Sequence, residues 1–289
     1  MEEKKDLIYG LNDRPPLRET CFAALQHLLS IFVAIITPPL IISSALKYDV
    51  QTTGFLVSMS LFVSGIATFI QSRRVGPIGT GLLCIQGTSF SFITPIIGAG
   101  MLGMVNGKMD VGLGLSYIFG GCMAASVVEM AVSRLLPYTR KVITPLVAGI
   151  VVTLIGLCLI KAGITSCGGG QTAIDNHTFG SLDNLGLAVL VLVSIIFFNR
   201  SNNRFLRMGS IVLGLLIGCV VAYCLGMIDF SKISADNPLN IPVPFKYGLH
   251  FDLGTIIALG LIYLVTAVEA FGDITANSLI SGEPGEGAV

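Results

Sequence analysis

The sequence predicts an all-α polytopic membrane protein of about eight transmembrane spans, and three observations carry that reading. Of 289 residues, 53% are hydrophobic and only 12% charged, where soluble domains carry roughly a quarter charged residues. The mean hydropathy is +0.83. The apolar residues gather into successive runs near the length of about 20 that a helix needs to cross a bilayer, divided by short polar stretches. The formal net charge is zero, so neither sign is in excess to attract nucleic acid, and the surroundings to be satisfied are lipid.

Residues 1–20 form a polar leading segment with Lys4, Lys5, Arg14 and Arg18, without the apolar stretch and cleavage site of a signal peptide. The first span is expected at 21–46, its helical hydrogen bonding interrupted by Pro38-Pro39. Gln26 and His27 open it, and His27, Ser30, Ala34 and Thr37 share a face. The pair reads either as satisfied interfacial residues or as part of a site. The second span, 52–70, is closed by Arg73-Arg74.

The third apolar region, 76–99, differs. It carries Gly76, Gly79, Gly81 and Gly87 and a polar break, Gln86-Gly87-Thr88-Ser89, at its middle. Each half is near ten residues, too short to span alone, so the region reads as a broken helix whose irregular backbone lines a cavity. Phe90, just after the break, is placed to stack on a flat ligand or to fill the core.

The fourth span is expected at 111–136, with Glu129 as an interfacial acid, and the fifth at 142–162, with Gly149 and Gly156 as packing residues. Residues 163–182 read as an exposed loop whose Gly168-Gly169-Gly170 lacks the Lys-Ser/Thr of a phosphate loop. The sixth and seventh spans are expected at 185–198 and 208–227. A polar segment, 229–250, then leads to the eighth, at 253–280 within 251–282.

The eighth span holds the chemistry. Thr266, Glu269, Asp273 and Asn277 fall three or four residues apart and line one helical face. An acid near the bilayer centre costs about 2.5–3.5 kcal/mol, so Glu269 faces a partner helix, a cavity or a substrate.

Seven cysteines, none in a CxxC pair, read as small hydrophobes with no metal site. With Trp absent, an interfacial belt would fall to Tyr48, Tyr138 and Tyr247. Twelve of the 17 basic residues (Lys4, Lys5, Arg14, Arg18, Arg73, Arg74, Arg134, Arg140, Lys141, Arg200, Arg204 and Arg207) fall on one side of an eight-span chain, with Lys47, Lys108, Lys161, Lys232 and Lys246 on the other. The positive-inside rule puts the N-terminus in the cytoplasm of a multi-pass inner-membrane protein.

QHLLSIFVAIITPPLI at 26–41, GTGLLCIQGTSFSF at 79–92, ITPLVAGIVVTLIGLCLIKAGI at 143–164 and VEAFGDITA at 268–276 resemble the nucleobase-ascorbate transporter family, in particular its bacterial xanthine permeases. The resemblance runs nearly end to end. It implies two inverted seven-span repeats, a short strand at Gln86 to Phe90, core-domain spans at 21–136, gate-domain spans at 142–227, and a start of the second repeat at 251–282. It further implies that Glu269 contacts the base and that Asp273 supports the site and proton coupling. Gln26 and His27 match the family's Gln-His pair, and Ser89 stands at a position linked to purine selectivity. The implied ligand is xanthine, with uric acid, guanine or uracil as alternatives. The implied coupling ion is H+, no cofactor is needed, and the complete protein is a homodimer.

By the same resemblance, residues 1–289 correspond to one repeat and the first helix of the next. The expectation is a truncated N-terminal portion that inserts in the membrane but is inactive alone, the break at 86–89 lacking its pairing strand. Two other readings stay open: an anion transporter of the related sulfate-transporter fold, and a nonfunctional remnant. An intramembrane enzyme using His27 with Glu269 or Asp273 is disfavoured, because no nucleophile motif such as G-x-S-x-G accompanies them.

Overall fold

A computed structural model of the chain describes residues 9–10, 13–73, 75–76, 78–139, 145–203, 206–207, 209–228, 243 and 245–281. Its helices are α1 (Leu17–Ala45), α2 (Val50–Arg73), α3 (Ile93–Met101), α4 (Val111–Thr139), α5 (Pro145–Cys167), α6 (Gly170–Asp175), α7 (Leu182–Asn199), α8 (Ser210–Cys224) and α9 (Leu253–Ser281). Among the described residues five stretches, Leu17–Ala45, Val50–Arg73, Val111–Arg134, Leu182–Asn199 and Leu253–Ser278, are long and apolar enough to cross a membrane. The chain is a mostly helical, multi-pass membrane protein. Lys4, Lys5, Arg74, Arg140, Lys141, Arg204 and Lys232 of the charge pattern, and residues 229–242, lie outside the described residues.

Turn chemistry sets several boundaries. After α1, Lys47 takes φ 55 and the Tyr48 N–H reaches back to the Ser43 carbonyl at 2.9 Å, the left-handed closure of a helix end. Asp49 then caps α2, accepting from the N–H groups of Gln51 at 3.1 Å and Thr52 at 3.2 Å and from the Thr52 hydroxyl at 2.6 Å. The Thr52 hydroxyl and these amides hold the Asp49 carboxyl below its usual range. Asp252 does the same for α9 through the Thr255 N–H at 2.7 Å. Between α3 and α4, β1 (Met104–Val105) and β2 (Lys108–Met109) pair antiparallel around Asn106-Gly107, both at positive φ, as a two-residue hairpin turn requires.

The chain divides into two compact units. The first holds residues 38–158 and 243–289 with 1–15. Here α9 packs along α4, and glycine permits the approach: a Cβ on Gly121 would stand 2.5 Å from Thr255 Cγ2 and 3.0 Å from Leu259 Cδ1. Leu115, Ala125 and Leu259 are fully buried at this contact. The segment before α9 straps onto α2 and α4. The Ser116 hydroxyl donates to the Leu113 carbonyl at 2.7 Å, so it accepts from His250 Nδ1 at 2.9 Å, and the His250 N–H donates to the Ser116 carbonyl at 3.0 Å. Lys246 Nζ lies 5.4 Å from the centre of the Phe55 ring and 5.3 Å from that of Tyr247.

The second unit holds residues 16–37 and 159–242. Ser210, Gly214, Gly218 and Ala222, four apart, are all buried in α8, and α7 fills the groove they leave with Ile195 and Val191.

Several expectations change. The helix α1 runs on through Pro38 and Pro39. Residues 163–182 are largely folded: α5 continues to Cys167, α6 comes next, and the Asn184 side chain donates to the carbonyls of Gly168 at 3.1 Å and Thr178 at 3.2 Å. A Cβ on Gly149 or Gly156 would meet nothing within 4 Å; close packing falls instead to Gly120, Gly121, Gly214 and Gly218. Tyr48, just past the end of α1, is buried, and burial pushes its hydroxyl up to about 12. The third apolar region is helical only in its second half, and residues 79–89 run outside any strand ladder. Among the described residues the segment expected as a strand, Gln86 to Phe90, makes no ladder: Gln86 to Ser89 are irregular and Phe90 opens a 3-10 turn.

Candidate functional site

The site is built from the segment between α2 and α3 and from the acidic face of α9. Gly76, Gly79 and Gly81 take positive φ, a region open to glycine, and turn the chain back along α2. Gly79 comes so close that a Cβ there would lie 2.4 Å from the Ile70 carbonyl oxygen. The Gly81 N–H donates to the Gln71 carbonyl at 3.0 Å, and Gln71 Nε2 donates to the Thr80 hydroxyl at 2.8 Å. The Gln86 N–H donates to Thr68 Oγ1 at 2.9 Å, and the Gln86 carbonyl accepts from Ser64 Oγ and, at 3.4 Å, from Thr68 Oγ1. Both polar groups of the Gln86 backbone are thus satisfied within the chain.

Past Gln86, the Ser89 hydroxyl accepts from the Ser91 N–H and caps a 3-10 turn over Phe90–Phe92, which leads directly into α3. Two contacts then tie the segment to α9. Asn277 Nδ2 donates to the Leu83 carbonyl at 2.9 Å. The ring of Phe92 meets Tyr263 edge-on, centroids 4.7 Å apart at 65°. The segment therefore runs antiparallel to α9, Leu83 beside Asn277 and Phe92 beside Tyr263. Between these ties α9 rises about 21 Å at 1.5 Å per residue, and the ties bracket Gln86 to Phe90 on one element and Glu269 and Asp273 on the other.

Within the bracket Gln86, Thr88, Ser89, Phe90 and Glu269 are half-buried, and Asp273 is exposed. Thr266 is buried, its hydroxyl turned back to the Ile262 and Tyr263 carbonyls at 3.3 Å each. Gln26 and His27 stand on the part of α1 belonging to the second unit, where His27 is exposed and the Gln26 side chain lies outside the described part. Among the described residues no group of three or more His, Cys, Asp or Glu side chains is arranged to hold a metal ion.

Sequence reasoning placed Asn277 on the acidic face without a role, and it missed Ser64, Thr68 and Gln71 altogether. Their signal was present as three polar residues spaced four and three apart on one face of an apolar span.

The same segments decide the family. Residues 18–287 match the profile described as Permease family, the xanthine/uracil permease type. The chain belongs to the nucleobase-ascorbate transporter family. It is 46% identical to xanthine permease XanP of Escherichia coli over 286 residues, which is 99% of this chain and 62% of that protein. It is 44% identical to xanthine permease XanQ of Escherichia coli over 282 residues, 98% of this chain and 60% of that one. Uric acid permease PucJ of Bacillus subtilis is 33% identical over 264 residues, 90% of this chain and 57% of its own length. The chain thus spans about three fifths of these relatives. The relatives named here are permeases.

Proposed function

We propose that this chain carries the base-binding elements of a proton-coupled purine nucleobase transporter of the inner membrane, with xanthine as the base taken. The observation that carries the proposal is the double tie of Leu83 to Asn277 and Phe92 to Tyr263, which bracket the polar break and the two acids. Names of relatives support the choice of base: the two at 44–46% identity are xanthine permeases, and the uric acid permease is more distant.

A xanthine-like base is flat, with ring N–H donors and carbonyl acceptors. The Glu269 carboxylate accepts N–H bonds, which are strong because the acceptor is charged. Backbone N–H groups of the non-helical segment donate to the carbonyls of the base, as in other transporters with interrupted spans. Phe90 offers a ring face for stacking, and Ser89, Thr88 and Gln86 add polar contacts that select among bases. Asp273, one turn beyond Glu269, supports it. A carboxyl's hold on a proton responds to desolvation and to a neighbouring charge, so loading and emptying the site binds and frees a proton. By the family resemblance Gln26 and His27 are the further candidates for proton coupling. The spans belong to the 7+7 inverted-repeat architecture, the N-terminus is cytoplasmic and the complete transporter is a homodimer.

The test is binding and uptake of radiolabelled xanthine by the chain alone and by the chain completed to the length of its relatives, with uric acid, guanine, uracil and sulfate as competitors and Glu269→Gln as reference. Saturable, purine-competed binding by the completed transporter, weakened at least about tenfold by Glu269→Gln, and none by the chain alone are the expected results. Equal signals from parent and Glu269→Gln would remove Glu269 from the site, and competition by sulfate would replace the substrate class.

A further inference from the structure

A non-helical segment at membrane depth must have its N–H and C=O groups satisfied by protein, since lipid offers no partner. Within residues 80–86 the Leu82 N–H bonds to the Thr80 hydroxyl, the Cys84 N–H to the Leu82 carbonyl, and the Leu83 carbonyl to Asn277 of α9; further partners, for Thr80, Gly81 and Gln86, come from α2. Ser64, Thr68 and Gln71 succeed one another by four and three residues, and each reaches the segment: Ser64 and Thr68 at Gln86, Gln71 at Thr80 and Gly81. Neighbouring hydroxyls of the same helix behave in the ordinary way. Ser60 bonds back to the Leu56 carbonyl at 2.9 Å and Ser72 to the Phe69 carbonyl at 3.2 Å. The three that turn outward act as a surrogate strand edge.

Thr68 is central to it, because its hydroxyl accepts from the Gln86 N–H and donates to the Gln86 carbonyl. That pairing fixes the register of residues 87–89. Ser89 is extended, φ −96 and ψ 133, and where a segment is extended its side chains fall into two alternating sets, so the place of Gln86 sets which side Thr88 and Ser89 present. A slip of one residue would exchange the two sets before the α9 acids.

We propose that Thr68 is a positioning residue of the base site: its hydroxyl holds Gln86 in register and so determines which side chains of the polar break meet the ligand. The inference rests on the base-site reading for its ligand, whereas the register itself can be read out without one. Cys84, half-buried in the same segment, is the reporter. The experiment uses the chain completed to the length of its relatives, in lipid nanodiscs, with its other cysteines replaced by serine. It monitors the rate of Cys84 alkylation by a maleimide, alone and with xanthine or uric acid.

Thr68→Val keeps the branched shape and deletes both hydrogen bonds, Thr68→Ser keeps them, and Ser60→Ala removes a hydroxyl that serves its own helix. Thr68→Val is expected to raise the alkylation rate about fivefold or more, the scale of one or two lost hydrogen bonds, and to alter the relative protection by xanthine and uric acid. Thr68→Ser and Ser60→Ala are expected to stay within about twofold of the parent. An unchanged rate and unchanged preference in monodisperse Thr68→Val overturn the proposal. Should Thr68→Val aggregate, Ser64→Ala, which removes one donor to the same carbonyl, must give a smaller rise, and no rise is equally fatal. If xanthine fails to protect the parent while Thr68→Val still accelerates alkylation, the base-site reading falls and the register role of Thr68 stands.

Discussion

Asn277 and Leu83, 194 residues apart in the chain, are joined by a hydrogen bond of 2.9 Å from the Asn277 amide to the Leu83 carbonyl. An amide donates here where a carboxylate would only accept, so the residue type matters. Asn277→Ala should leave the carbonyl short of a partner and destabilise the protein by about 1–3 kcal/mol. Asn277→Asp should be worse, because it sets negative charge against a carbonyl oxygen. Thermal unfolding in detergent gives the order parent, Ala, Asp; an Asp variant as stable as the parent would show that the bond contributes nothing.

In the chain completed to the length of its relatives, the two acids of α9 are expected to separate in their effects. Glu269→Gln keeps size but loses the charged acceptor, and should weaken xanthine binding by about 1.5–3 kcal/mol, roughly tenfold or more. Asp273→Asn should depress turnover at least as strongly as binding. Binding isotherms beside initial uptake rates distinguish the two, and a normal uptake by Glu269→Gln would defeat the assignment.

Much of this arrangement was legible in the sequence, and the reason is periodicity. Thr266, Glu269, Asp273 and Asn277 share a face on any helix, and α9 is helical throughout that stretch. The polar break at 86–89 was visible as an interruption of an apolar run, and residues 79–89 are indeed non-helical. What the sequence did not reveal was where the freed backbone bonds. Ser64 and Thr68 bond the Gln86 backbone, a contact that no spacing announced. Hydroxyls on a membrane helix most often bond their own carbonyls, so their reach toward a remote segment leaves no local mark. The strap of Lys246, Tyr247 and His250 over α2 and α4 was invisible for a similar reason, since it depends on contacts far apart in sequence.

Glycines of equal appearance should respond in opposite ways. Gly121→Ala would drive a methyl against Thr255 and Leu259, and overpacking of this kind costs about 1–3 kcal/mol. Gly149→Ala meets nothing within 4 Å and gains helix propensity, about 0.5–1 kcal/mol in its favour. Melting temperatures of the two variants, measured side by side in one detergent, should fall and rise respectively.

The Asp49 cap gives a pH dependence with a defined sign. Hydrogen bonds hold its folded carboxyl below the ordinary value of 3.8, so its contribution is present above that value and is lost as pH falls through the lower, folded one. Asp49→Ala should cost about 1 kcal/mol at neutral pH. Asp49→Asn, which still caps, should retain most of that stability and lose the acid-side dependence. Unfolding curves at neutral and strongly acidic pH test this, and a parent-like acid response in Asp49→Asn would place the titration elsewhere.

The last prediction concerns orientation. If the twelve basic residues against five mark the cytoplasmic side, the Asn106-Gly107 hairpin tip between α3 and α4 should fall on the opposite one. Single cysteines in a cysteine-free chain at Asn106 and Asn176 should react with an impermeant maleimide added outside intact cells. Cysteines at Val75 and Asn202, exposed beside the ends of α2 and α7, should react only after permeabilisation. The pattern is demanding because each site reports a different crossing. Outside labelling at Asn202 with inside labelling at Asn176, beside the expected result at Asn106, would mean that an odd number of crossings has been missed or added between Asn106 and Asn176, and the eight-span reading would fall.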